Sequence, residues 1–133
     1  MPQPAIHALD HLVLTVRDIA ATIAFYETAL GMRGAKFRTA TGETRWSLTF
    51  GRAKINLHQA GQEFEPKAAQ PTRGSADLCF LTETPLADWQ AHLVRQGIEI
   101  EEGPVPRTGA TGPLMSIYLR DPDGNLIEIA TPR

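Results

Sequence analysis

The stretch Leu9–Gly31, L-D-H-L-V-L-T-V-R-D-I-A-A-T-I-A-F-Y-E-T-A-L-G, decides the fold. Residues 9–16 alternate and are rich in aliphatic and β-branched side chains, which predicts a strand. Asp18 is a good N-cap, and Ile19, Ile23, Tyr26 and Leu30 then recur at helical spacing. Gly31 supplies the C-terminal stop. Beyond this strand–helix unit, Phe37–Thr39, Arg45–Phe50 and Lys54–Gln59 read as three short strands. Turns at Thr41-Gly42 and Gly51-Arg52 separate them. Residues 60–75 are polar and hold Gly61, Pro66, Pro71 and Gly74, so they read as a connecting loop.

The pattern then recurs. Ala76–Thr82 is a strand, and Pro85 opens a helix carrying Leu86, Trp89, Leu93 and Val94 that stops at Gly97. Ile98–Glu101 is a short strand, Glu102–Gly112 a Pro/Gly-rich loop, and Leu114–Arg120 and Asn125–Ala130 are strands flanking the turn D-P-D-G. Both halves thus read βαβββ. At an offset of 66, His11 falls on Asp77, Leu14 on Phe80, and Gly31 on Gly97. At an offset of 70, Leu57-His58-Gln59 falls on Ile127-Glu128-Ile129. The expected architecture is an α+β domain over residues 1–133, with one module at about 7–60 and a second at about 75–131.

Strand alternation divides each strand into two faces. Leu12, Leu14 and Val16 form a face suited to packing on a helix, with His11, Val13 and Thr15 opposite. The same division puts His58, Asp77 and Glu128 on faces turned away from the helices. Imidazoles and carboxylates together suit Zn, Ni, Co, Mn or Fe while leaving coordination positions open. Each of the four side chains alone reads equally as a hydrogen-bonded or solvated strand residue. Glu128, amid L-I-E-I-A, fits that bland role least well, since a buried carboxylate needs a partner.

Composition sets the outer bounds. The chain has 133 residues, 13 Lys+Arg against 15 Asp+Glu, and 42% apolar content, as an ordinary folded domain does. A net charge of −2 gives no general attraction for nucleic acid or anionic lipid. A single cysteine excludes an internal disulfide and a zinc site built on cysteines. No apolar run reaches ~18 residues, and the N-terminus has no signal-peptide pattern, so the expectation is a cytoplasmic protein without membrane contact. Nucleotide-binding glycine motifs are absent from the sequence.

Three segments carry a family resemblance: D-H-L-V-L-T-V-R-D at 10–18, F-Y at 25–26 before L-G-M at 30–32, and R-D-P-D-G-N-L-I-E-I at 120–129. Through them the chain resembles the vicinal oxygen chelate superfamily of glyoxalase I, fosfomycin-resistance proteins, extradiol dioxygenases and bleomycin-binding proteins. G-S-A-D-L-C-F-L at 74–81 further resembles a glyoxalase-domain branch with virulence-associated members. The resemblance implies two paired βαβββ modules, eight strands with helices on their outer faces, and polar strand faces around a divalent metal ion.

It also implies metal ligands at His11, His58, Asp77 and Glu128, with Glu128 acting in addition as a base. Asp77 stands where the family usually has His, which breaks the ligand triad of the dioxygenases. The function so implied is a metal-dependent lyase or isomerase that binds a small oxygen-bearing substrate by bidentate chelation. A non-catalytic drug- or metabolite-binding protein is the competing class, and an Fe(II) dioxygenase a third. A homodimer is expected, because cupped sheets leave open edges and a site in need of a second wall.

Other residues take blander expectations. Cys79 reads as a small buried hydrophobe, His92 as a surface residue, and His7 as part of the terminus. Trp46 reads as core, and Arg45, Arg73 and Arg107 as solvated, with Arg107 placed to meet a substrate anion.

Overall fold

Inward-facing aliphatic residues of both halves share one core. Leu14, Val16, Leu48 and Ile55 of the first half lie in the same buried cluster as Ile117, Leu119, Ile127 and Ile129 of the second. The computed structural model describes residues 3–133. The first half consists of β1 (His11–Val16), α1 (Ile19–Leu30), β2 (Arg33–Arg38), β3 (Thr44–Phe50) and β4 (Ala53–Gln59). The second repeats it with β5 (Asp77–Leu81), α2 (Leu86–Arg95), β6 (Glu102–Thr108), β7 (Pro113–Arg120) and β8 (Leu126–Pro132). The strand orders, β1-β4-β3-β2 and β5-β8-β7-β6, are the same within each module. This is the expected α+β fold of eight strands and two helices.

The local signals work as read. Asp18 accepts a hydrogen bond from the Ala21 amide at 3.0 Å, and Gly31 ends α1 at φ +70°. α2 starts just after Pro85 without a side-chain cap; Trp89 Nε1 instead donates to Thr82 Oγ1 at 2.9 Å, tying the helix to the end of β5.

Two elements depart from the expectation. Ile98–Glu101 is not a strand: Ile98 and Ile100 pack against the core, and the edge strand begins only at Glu102. The Pro/Gly-rich segment after residue 101 is strand β6, not a loop, with strictly alternating exposure. It lies at the sheet edge, paired on one side to β7, where a proline's missing N–H leaves no ladder bond unmade.

The register also corrects the repeat alignment. Across the parallel pair β1–β4, Val13 faces Asn56 and Thr15 faces His58. Across β5–β8, Cys79 faces Glu128 and Leu81 faces Ala130. With β1 and β5 matched at the 66 offset, the counterpart of Glu128 is therefore Asn56, and that of His58 is Ala130. The last strands correspond two residues away from where the side-chain pattern placed them. A two-residue slip keeps every side chain on its face, so hydrophobic pattern could not expose it.

Candidate functional site on two outward faces

The α1-free face of the first sheet carries His11 and Thr15 from β1, Lys54, Asn56 and His58 from β4, and Arg45 from β3. His11 is half exposed at 44% and its Nδ1 lies 2.8 Å from Asp10 Oδ1, an arrangement that orients the ring. His58 is buried, with Phe64 packed edge-on at 5.4 Å between ring centroids. Burial first, and the nearby Arg45 charge second, lower the His58 pKa below the usual imidazole range. The neutral ring is the form a metal or a proton donor would meet.

Over this end of the face folds the connecting segment 60–75. Between them lies a cavity of about 490 Å³ lined by Val13, Thr15, His58, Lys67 and Ser75 among others. That volume suits a small organic ligand.

On the second sheet, Glu128 is the centre of a hydrogen-bonded group. Ser116 Oγ donates to its Oε2 at 2.6 Å. The Cys79 thiol and the Tyr118 hydroxyl also face the carboxylate. Tyr118 in turn accepts from Arg107 Nε at 2.9 Å, and Arg107 pairs with Glu102 at 3.0 Å. Arg107 thus braces this network while its side chain stays 38% exposed, as a partly solvated residue does. Asp77 is exposed at the start of β5. Its charge is felt by Arg120, whose guanidinium is already held by Glu101.

The four expected ligands therefore divide, His11 and His58 on one face, Asp77 and Glu128 on the other. Among the described residues of one chain, no three His, Cys, Asp or Glu side chains gather into a group that could hold a metal ion. The donor chemistry, two imidazoles and two carboxylates, suits a divalent cation; a single chain does not assemble it.

Other expectations are corrected. Cys79 is exposed on the outward face instead of buried in the core. Arg45 is not solvated, since its guanidinium stacks on Phe64 at 4.0 Å and keeps 23% of its surface. His92 is not a bare surface residue: its Nε2 lies 3.0 and 3.1 Å from the Thr28 and Ala29 carbonyls, donating to the end of α1. Trp46 packs against the core as expected, beside α1 with Ile19 and Ile23. Phe64 and Tyr118 are the residues the sequence reading missed. Phe64 sits in a polar loop, and Tyr118 shows itself only once β7 is registered against β8.

The geometry is that of a paired-module domain, and a family model for the Glyoxalase/Bleomycin resistance protein/Dioxygenase superfamily matches residues 8–129. The chain belongs to that superfamily. It is 59% identical over 128 residues to Virulence protein STM3117 of Salmonella typhimurium, covering 96% of this chain and 86% of that protein. The crystal structure of that protein superposes with a TM-score of 0.90 over 98% of this chain and 100% of the other. The glyoxalase domain-containing protein RDO1 of Mycosarcoma maydis is 54% identical over 97% of this chain and 70% of its own length.

More distant structures share the fold alone. They include a lactoylglutathione lyase of Agrobacterium tumefaciens, with a TM-score of 0.69 and 21% identity over 96% of this chain and 95% of that one. TnmS3, an antibiotic binding protein of a Streptomyces species, has a TM-score of 0.74 and 20% identity over 98% of this chain and 100% of that one. No helix among the described residues is long and apolar enough to cross a membrane.

Proposed function

We propose that this protein is a metal-dependent lyase or isomerase of the glyoxalase type, acting on a small oxygen-bearing substrate bound between two copies of the chain. The carrying observation is the division of the donors. His11 and His58 face outward from one module, and Asp77 and Glu128 from the other, so a complete set needs the first face of one copy against the second face of another. Exposed apolar residues support such a closure: Ile6 and Leu9 lead into β1, Val13 lies beside His11, and Leu81 lies beside Cys79.

A divalent ion held there would supply Lewis-acid polarisation of a substrate oxygen. The protein's own part is chiefly at Glu128. Its carboxylate is aimed by Ser116 and backed by Tyr118 and Arg107, as a base that takes a proton from a carbon beside a carbonyl must be. His58, kept neutral, is available as a ligand or as a hydrogen-bond partner in the wall of the cavity.

Calorimetric titration of Zn²⁺, Ni²⁺ and Mn²⁺ into untagged protein tests the reading. Stoichiometric binding by the wild type, lost in Glu128→Ala and in His11→Ala, is the expected result. Full-affinity binding by Glu128→Ala would overturn the assignment. Binding of no metal by the wild type would leave a metal-free binding protein as the better description. Asp77→His should hold the metal at least as tightly; if Asp77 serves only the surface charge balance, Asp77→Ala will not change metal affinity.

A further inference from the structure

The strands of the first sheet hold Arg33, Lys36, Arg38, Arg45 and Lys54 and no carboxylate at all. Three of these cations, Arg33, Arg45 and Lys54, share the outward face with His11 and His58. Two are held in place by aromatic rings. The Lys54 ammonium reaches from β4 past β3 to lie 4.2 Å from the centroid of Phe37 on β2. The Arg45 guanidinium lies 4.0 Å from that of Phe64. Ring contact fixes where these charges sit without neutralising them.

Arg45 has one carboxylate neighbour, Glu43, at 3.5 Å from Nη2. Its Nε is buried with no hydrogen-bond partner, and so is Oδ1 of Asn56 on the next strand. Buried donors and acceptors left unpaired in a folded protein are rare, and two of them on neighbouring strands of one sheet face call for an explanation.

We infer that this face binds the anionic group, carboxylate or phosphate, of a small organic ligand, with Arg45 and Lys54 as its two cationic contacts. The juxtaposition of two ring-held cations with an unpaired guanidinium Nε carries the inference. A guanidinium edge matches two oxyanion oxygens, and the neighbouring cavity at His58 has room for the rest of such a molecule. The Phe64 ring stacked on the guanidinium offers it no acceptor, so a ligand oxygen that displaces the ring would give Nε the partner it lacks. The inference rests on the reading that the outward faces form the small-molecule site, but its test needs neither metal nor turnover.

The Arg45 Nε–H gives its own signal in a ¹H–¹⁵N correlation spectrum, so wild-type protein can be titrated with sodium succinate, sodium phosphate and, at matched ionic strength, sodium chloride. Saturable shifts of that signal and of β3–β4 amides with succinate or phosphate, and not with chloride, are expected. Whichever of the two saturates first identifies the anionic group. Arg45→Met and Lys54→Met should each weaken binding about tenfold, as loss of a charge-assisted hydrogen bond does. Phe64→Ala, which uncovers Nε, should bind no more weakly than wild type. Equal linear shifts in all three salts, or affinity unchanged in both Met variants, would overturn the inference. Either outcome leaves the metal titration above free to succeed or fail by itself.

Discussion

Tyr26 in the middle of α1 donates a 2.6 Å hydrogen bond to Oδ2 of Asp121, at the end of β7, and so joins the two modules inside the core. Burial first, and the Asp121 charge second, hold the Tyr26 phenol protonated far above its ordinary range. Asp121 also accepts from the amides of Asp123 and Asn125 and from Asn125 Nδ2, while Asn125 Oδ1 accepts from the Ala76 amide. The D-P-D-G-N motif is thus an inter-module joint, and its second carboxylate, Asp123, accepts from the Arg17 amide at 3.0 Å. Tyr26→Phe should cost roughly 1.5–3 kcal/mol, the range for a hydrogen bond to a charged group. Asp121→Ala, which strands several donors, should cost more than about 3 kcal/mol. Urea unfolding of the two variants checks both the size and the order.

Gly74 locks the connecting segment to the same turn. It adopts φ +71°, and a Cβ there would lie 2.5 Å from the Asp123 carbonyl oxygen. A side chain at such a φ costs about 1–2 kcal/mol before any clash. Gly74→Ala should therefore destabilise by at least about 2 kcal/mol. Gly61, at φ +84° with nothing within 4 Å of its missing Cβ, provides the comparison: Gly61→Ala should cost only the backbone term. Thermal melts of the pair separate clash from strain.

Cys79 offers a probe of the Glu128 network. Although the residue is exposed, partial loss of water around the thiol chiefly, and the Glu128 carboxylate next, push it up to about 11. At pH 8 its thiolate fraction is then on the order of a hundredfold below that of an ordinary thiol near pKa 8.5. Iodoacetamide labelling should be slow at pH 8 and rise about tenfold per pH unit toward pH 10. Glu128→Gln should accelerate it at pH 8 by several-fold, not fully, because the larger cause remains. A rate independent of Glu128 would mean the carboxylate does not face the thiol.

The parts of this structure written in local signals were legible. Asp18 and Gly31 bound α1 because a cap and a positive φ are chemistry of single residues. The outward placement of His11, His58, Asp77 and Glu128 followed from strand alternation. Three things depended on partners distant in sequence. β6 is a strand only because β7 lies beside it to accept a proline-bearing edge. The two-residue shift that matches Glu128 with Asn56 depends on interstrand register, to which face periodicity is blind. His92 serves the end of α1 because the helices meet, which nothing in its own neighbourhood announces.

His58 sets a direction for pH dependence. Its folded pKa lies below the unfolded value of about 6.5, so the unfolded chain binds the proton more readily. Its contribution is fully present above about pH 6.5 and is lost as pH falls through that value toward the folded pKa. Wild-type stability should drop over this window more steeply than that of His58→Gln, which removes the titrating group. Parallel denaturation curves at pH 7.5, 6.5 and 5.5 read the difference, and identical slopes would show that His58 titrates freely.

Closure of the two outward faces on each other should make the protein a dimer. Isolated apolar residues on a surface are ordinary, but Ile6 and Leu9, just before β1, and Val13 within it are 94%, 74% and 44% exposed. On the other face Leu81, 66% exposed, stands in the same strand as Asp77 and Cys79. The first sheet's strands are wholly basic in their charges, whereas those of the second carry Asp77, Glu102 and Glu128 against Arg107 and Arg120 and are acidic by one charge. Unlike faces therefore attract, and like faces repel, which favours pairing the first module of one copy with the second module of another. Sedimentation at micromolar concentration should give a mass of about 29 kDa, twice the chain's 14.6 kDa. Leu81→Asp and Val13→Asp should each shift the protein toward the single-chain mass, because each forces a carboxylate into the apolar part of the contact. Leu81→Asp also adds an acid to the acidic face and so keeps charge complementarity, which isolates the apolar contribution. Val94→Asp, an exposed change on α2 away from both faces, should leave the mass unchanged. A wild-type chain that sediments at 14.6 kDa would remove the second wall, and with it the route by which the four donors could meet.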